Sequence, residues 1–198
     1  GGFIVLKNLL WRVVFLDLQP PAQHISAMNA LSTSPLFSHK YALSIAALSA
    51  AGLLITVFLM QYWGGMAPCS LCVTQRWPHG VALVLGIVAI LPITAPPLRR
   101  ILLAAIAIAF AITAGIGGYH AGVEYGWFAG PTACSGTISS DTVEDLKRQL
   151  MAQPVIRCDE VAWSLFGISL AGYNFLISIA LAIFCAISSL AGAERGRR

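Results

Sequence analysis

Four stretches of the chain stay apolar for the length that a membrane demands. Residues 41–63 carry no charge, residues 71–91 carry only Arg76 near their start, residues 101–123 carry none, and 161–193 carries none, with 164–190 as its core. A helix needs about 20 apolar residues to cross the hydrocarbon layer of a bilayer. Strands of a membrane barrel alternate in polarity and are about half as long. The pattern therefore predicts an all-α membrane protein, a four-transmembrane-helix bundle spanning 39–193. Gly64-Gly65 and Pro68 break the chain after the first span, and Pro92, Pro96 and Pro97 reverse it between the second and third. Those breaks give loops at 64–70 and 124–163 on one side of the membrane.

Two further segments fit the pattern less well. Phe3 to Leu18 is apolar but is interrupted by Lys7, Arg12 and Asp17, and Gln19-Pro20-Pro21 ends any helix there. Residues 1–38 are read as an N-terminal extension outside the bundle, with Met28 as an alternative start and no signal-peptide cleavage pattern. Within the larger loop, Asp141-Thr142-Val143-Glu144 resembles a capping box. Val143, Leu146 and Leu150 follow at helical spacing until Pro154, which predicts a short amphipathic helix on the bilayer surface.

Composition agrees with lipid as the main solvent. The chain is 58% hydrophobic and 10% charged, with mean hydropathy +0.79, whereas a soluble domain carries about 25% charged residues. The net charge of +4 arises without a basic run interleaved with aromatics, so no nucleic-acid surface is expected. Lys40, Arg99, Arg100, Arg195, Arg197 and Arg198 all fall at one set of helix ends, including the basic tail 194–198. Positive charge marks the cytoplasmic side. Both termini are therefore expected inside, and the loops 64–70 and 124–163 outside.

This topology gives the cysteines their meaning. Cys69 and Cys72 form a C-x-x-C at the outer start of the second span, and Cys134 and Cys158 lie in the second outer loop. Both pairs face the compartment in which disulfides persist. A thiolate at the start of a helix gains from free backbone N–H groups and the positive end of the helix dipole. Arg76 lies four residues beyond Cys72 on the same helical face, about 6 Å deeper at 1.5 Å per residue. Its donors can stabilise a Cys72 thiolate or hold a carbonyl oxygen of a small electron acceptor such as a quinone head group. Gln75 can donate to the same oxygen, or pack as a polar helix contact. Cys134, between Gly130-Pro131-Thr132-Ala133 and Ser135-Gly136, suits attack by another protein's thiolate. A structural Cys134–Cys158 staple is the plainer reading. His79 reads as a satisfied buried histidine, Trp77 as an interfacial aromatic and Cys185 as an inert buried thiol.

Pro68-Cys69-Ser70-Leu71-Cys72 followed by Gln75-Arg76, the four spans and the second-loop pair together resemble the DsbB family of bacterial disulfide-bond formation proteins. Tyr119-His120-Ala121-Gly122-Val123-Glu124, Arg157-Cys158-Asp159-Glu160-Val161-Ala162-Trp163 and Phe166-Gly167-Ile168-Ser169 resemble one branch of it. The resemblance implies an inner-membrane protein-disulfide oxidoreductase with both termini cytoplasmic. It would reoxidise a periplasmic thioredoxin-like dithiol oxidase (DsbA-like) and deliver the electrons to the membrane quinone pool. It implies Cys69, Cys72, Cys134 and Cys158 as catalytic, and ubiquinone or menaquinone as the cofactor, bound by Arg76 with Gln75 and His120. His120 is set against a family histidine linked to quinone binding, and Gln75 stands where some members carry an acid. No metal is expected in the site. The competing classes are a four-cysteine zinc site, a haem carrier, a vitamin-K-epoxide-reductase-like enzyme and a plain scaffold. The second pair's wide spacing opposes the first, and the unequal depths of His79 and His120 oppose the second. The position of the C-x-x-C opposes the third, and the paired cysteines with Arg76 oppose the last.

Overall fold

The protein is described from a computed structural model at residues 37–131, 142–144, 147 and 157–195. Its elements in chain order are α1 (His39–Tyr62), α2 (Ser70–Ile90), α3 (Pro96–Glu124), β1 (Ser164–Leu165), β2 (Ile168–Ser169) and α4 (Leu170–Arg195). All four helices are long and apolar enough to cross a membrane, so the fold is an all-α four-helix membrane bundle. Three of the four expected spans match helices to within a few residues. The surface helix expected over 141–150 lies largely outside the described residues, as does residue 134.

Local chemistry explains the helix ends. Cys69 is the N-cap of α2, where its sulfur accepts the backbone N–H of Cys72, occupying a donor that the first turn leaves free. Pro96 opens α3 with its fixed φ and missing N–H. Gly65 follows α1 with φ +66°, a left-handed turn that glycine adopts without a Cβ penalty.

The fourth span departs from expectation. The apolar run from 164 does not continue as helix, because residues 164–169 form a two-stranded hairpin with Ser164 opposite Ser169 and Leu165 opposite Ile168. Phe166 (φ 51°) and Gly167 (φ 78°) both lie in the left-handed region, as the tightest hairpin turn requires. Tyr125 donates to the Gly167 carbonyl at 2.8 Å and Tyr173 to that of Leu165 at 3.1 Å. Both pin the hairpin over the C-terminal end of α3 and the start of α4. The membrane-crossing helix therefore starts at Leu170, not 164. Continuous apolarity could not distinguish hairpin from helix there, since a short apolar run fits either.

α3 packs most extensively on α4, then on α2, and α1 lies against α2. Small residues fill the seams: Ala42, Ala46 and Ala50 of α1, Ala82 and Ala89 of α2 and Ala182 of α4 are all buried around Leu43, Leu103, Ile106 and Phe110. Lipid offers no hydrophobic drive for helix association, so close backbone approach supplies the contact energy. At the tightest point a Cβ on Gly86 would lie 2.8 Å from the Cβ of Ala47. Ile55, Val84, Ile108 and Ile183 point outward. Tyr62, Trp63 and Trp127 are exposed at the end where the cysteines gather, as aromatic residues are at a membrane interface.

Candidate functional site

The N-cap of α2, the last turns of α3 and the chain entering the hairpin meet at one end of the bundle. Cys69, Cys158 and Val123 are buried there in one cluster, with Leu71 and Cys72 packed against it. The Sγ atoms of Cys69 and Cys72 are 2.9 Å apart and both sulfurs are unbridged. Cys158 is in a disulfide. Its sulfur lies 3.7 Å from Ser70 Oγ, and with its own sulfur bridged, the hydroxyl is the donor. The C-x-x-C and the second-loop cysteine are therefore neighbours, although 88 positions separate Ser70 from Cys158.

Cys69 is the more acidic thiol of its pair. Its acidity is raised first by a hydrogen bond with the Cys72 thiol, then by His120 and the Cys72 backbone N–H, against an opposing contribution from burial. His120 Nε2 lies 3.5 Å from Cys69 Sγ and 3.8 Å from Glu124 Oε1 one turn further along α3. Glu124 is held in turn by the hydroxyl of Ser169 at the end of the hairpin. The other ring nitrogen, Nδ1, accepts from Gln75 Nε2 at 2.7 Å. An amide nitrogen only donates, so with Gln75 in this orientation a neutral His120 ring presents Nε2–H to the sulfur. Cys69 Sγ, Cys72 Sγ and His120 Nε2 lie within 4.8 Å of one another, a spacing that could also hold a soft metal ion.

The quinone-site expectations divide. Gln75 and His120 are hydrogen-bonded to each other and buried inside the bundle. Arg76 faces elsewhere: Nη1 donates to Gln61 Oε1 of α1 at 2.6 Å, and its guanidinium lies 5.1 Å from the centre of the Phe58 ring. Its Nε is buried without a hydrogen-bond partner. A buried cationic donor with an open N–H fits a ligand carbonyl oxygen. Of the expected site residues, Cys69, Cys72, Cys158, Gln75 and His120 come together, Arg76 borders them on the α1 side, and Cys134 lies outside the described residues. His79 is buried and hydrogen-bonded to Asn174 at 2.8 Å, Trp77 is exposed, and Cys185 is buried in the core. Arg157, exposed beside Cys158, grips both carboxylate oxygens of Asp159 and holds that carboxyl below its ordinary range.

Sequence reasoning missed Gln61, Glu124, Ser169, Thr113 and Asn174 as parts of this region. Asn174 and Ser178 carried a usable signal, since two polar residues four apart inside an apolar span share a helix face and need a partner there.

Four membrane-crossing helices with a dithiol at one end, its Cys69 buried and acidified, next to a bridged cysteine, define a membrane thiol–disulfide protein. The family described as "Disulfide bond formation protein DsbB" matches residues 39–188, and the chain belongs to that family. The family is one of membrane disulfide-bond-forming oxidoreductases. Among curated proteins, an uncharacterized protein of Rickettsia prowazekii (strain Madrid E) is 28% identical over 134 residues, 66% of this chain and 76% of the relative. "Disulfide bond formation protein B" of Polaromonas sp. (strain JS666 / ATCC BAA-500) is 28% identical over 150 residues, 71% of this chain and 84% of the relative. No solved structure matches the chain.

Proposed function

We propose that the protein oxidises a periplasmic DsbA-like dithiol partner and passes the two electrons through Cys134–Cys158 and then Cys69–Cys72 to a membrane quinone. The observation that carries this reading is the shared burial of Cys158 and Cys69 at one end of the bundle. Thiol–disulfide exchange needs direct approach of sulfur to sulfur, and burial in one cluster supports such an approach.

The steps balance as follows. A partner thiolate attacks Cys134 of a Cys134–Cys158 disulfide, forming a mixed disulfide and releasing Cys158 as a thiolate. Cys158 attacks Cys69 of an oxidised C-x-x-C, and Cys72 leaves as a thiolate. The partner's second thiol resolves its own mixed disulfide, and the freed Cys134 attacks Cys158 and releases Cys69. The dithiol at 69 and 72 now holds both electrons. A quinone bound there would accept the two electrons, with two protons that derive from the partner's thiols, and the Cys69–Cys72 disulfide would re-form. The open Nε–H of Arg76 would hold a quinone carbonyl, ubiquinone or menaquinone. Gln75 and His120 would act behind the dithiol rather than on the quinone, since both are hydrogen-bonded to each other within the bundle. Both termini would lie in the cytoplasm of a bacterial inner membrane, with the cysteines on the periplasmic side.

The test is quinone reduction by the purified protein with a reduced thioredoxin-like partner, comparing serine variants at 69, 72, 134 and 158. Each variant is expected to lose steady-state turnover. Full turnover in all four rejects the relay.

A further inference from the structure

Buried Gln75 of α2 and His120 of α3 and half-buried Asn174 of α4 form one connected polar chain that ends at the Cys69 sulfur. Asn174 Nδ2 donates to Gln75 Oε1 at 2.6 Å, Gln75 Nε2 donates to His120 Nδ1 at 2.7 Å, and His120 Nε2 faces Cys69 Sγ at 3.5 Å. We propose that Asn174, acting through Gln75, sets the tautomer of His120 so that an N–H rather than a lone pair faces Cys69. Asn174 and Gln75 are then positioning residues for the thiol chemistry of Cys69, which neither touches.

Amide orientation alone leaves the direction of the chain open, and the Thr113 contact with a backbone carbonyl favours one direction. The hydroxyl of Thr113 donates to the carbonyl of Gln75 at 3.1 Å, and His79 Nε2, 3.3 Å from the same hydroxyl, acts as a donor to it as it does to Asn174 Oδ1. Thr113 Oγ1 can therefore only accept from Asn174, which it meets at 3.3 Å. The nitrogen of the Asn174 amide must face this side, and its oxygen must face Ser178 Oγ at 3.2 Å and His79 Nε2 at 2.8 Å. Once Asn174 presents N–H to Gln75, Gln75 must present its oxygen to Asn174 and its N–H to His120. The space for this arrangement comes from Gly117, where a Cβ would lie 3.0 Å from Asn174 Nδ2 and 3.3 Å from the carbonyl of Ala171.

The consequence falls on Cys69. A donor aimed at a sulfur favours the thiolate, whereas a lone pair in the same place opposes it. The groups facing this sulfur are Cys72 of its own helix, His120 and Glu124 of α3, and Cys158 of the second outer loop, whose bridged sulfur does not titrate. The functional weight of the inference rests on Cys69 being a redox cysteine. Its test uses neither quinone nor partner, so it fails separately from the relay.

The experiment uses the reduced full chain in lipid nanodiscs, with Asn174→Leu and Thr113→Val. Histidine ¹⁵N shifts read which ring nitrogen of His120 is protonated, and peptide mass spectrometry reads the pH profile of Cys69 alkylation. The native chain is expected to show neutral His120 protonated at Nε2. Both variants are expected to show a mixed or Nδ1-protonated ring, and an alkylation midpoint higher by about one pH unit, a tenfold loss of thiolate at low pH. Thr113→Val keeps the shape of the side chain, so it decides the matter if Asn174→Leu does not fold. A native His120 protonated at Nδ1 overturns the proposal, as does an unchanged tautomer and midpoint in a folded variant.

Discussion

Ser70 Oγ stands 3.7 Å from Cys158 Sγ, so the residue after the N-cap cysteine of α2 touches the second cysteine pair. Ser70→Ala removes one partly exposed hydrogen bond, worth about 0.5–1 kcal/mol. Exchange between Cys158 and Cys69 is expected to slow by about two- to fivefold, measured by acid-quenched alkylation after addition of a reduced partner. An unchanged rate would show that this contact does not position Cys158.

The acidity of Cys69 sets a pH dependence. Its thiolate is favoured by the Cys72 and His120 contacts, so in reduced, chelator-washed protein its alkylation should persist well below the ordinary thiol range. A lowered thiol value means that reactivity is present above that value and is lost only as pH falls through it. His120→Ala removes the donor and should move the profile upward, towards an ordinary thiol. Cys185, buried in the core, should stay unmodified until the protein unfolds. Equal alkylation of Cys69 and a denatured control at every pH would contradict the reading.

Arg76 provides a separation of binding from chemistry. If its open Nε–H holds the quinone, Arg76→Ala should raise the quinone KM by tenfold or more, on the order of 1.4 kcal/mol, and leave the KM for the partner protein unchanged. Gln61→Ala should change the same quinone KM, because Gln61 orients the guanidinium through a 2.6 Å hydrogen bond. An unaltered quinone KM in both variants would remove this pair from the acceptor site.

The seam between α1 and α2 tests the packing. A methyl on Gly86 would meet the Ala47 Cβ at 2.8 Å, and overpacking of this kind costs about 1–3 kcal/mol. Gly86→Ala should lower the thermal midpoint in detergent, and adding Ala47→Gly should restore part of the loss. A full-strength midpoint in the single variant would mean that the helices separate there without cost.

Much of this architecture is written in the sequence. The spans at 41–63, 71–91 and 101–123 show as long, mainly apolar runs because lipid allows few polar residues, and Cys69, Cys72 and Arg76 lie on one local segment where spacing alone carries information. The hairpin at 164–169 was hidden because apolarity continues through it, and only the positive φ at Phe166 and Gly167 reveals the turn. The partners of His120 were hidden for a different reason. Gln75 is 45 positions away and Cys69 is 51, and no local period records a contact between helices. The same holds for Asn174, which reaches Gln75 across 99 positions.

The account turns on direct exchange between Cys158 and Cys69. The direct measurement is to remove the resolving thiols with Cys72→Ser and Cys134→Ser together, oxidise the membrane-embedded protein, and identify the disulfide-linked peptides by mass spectrometry. A Cys69–Cys158 link is predicted as the dominant product. Monomeric protein in which Cys69 and Cys158 stay unlinked under the same oxidation would contradict it.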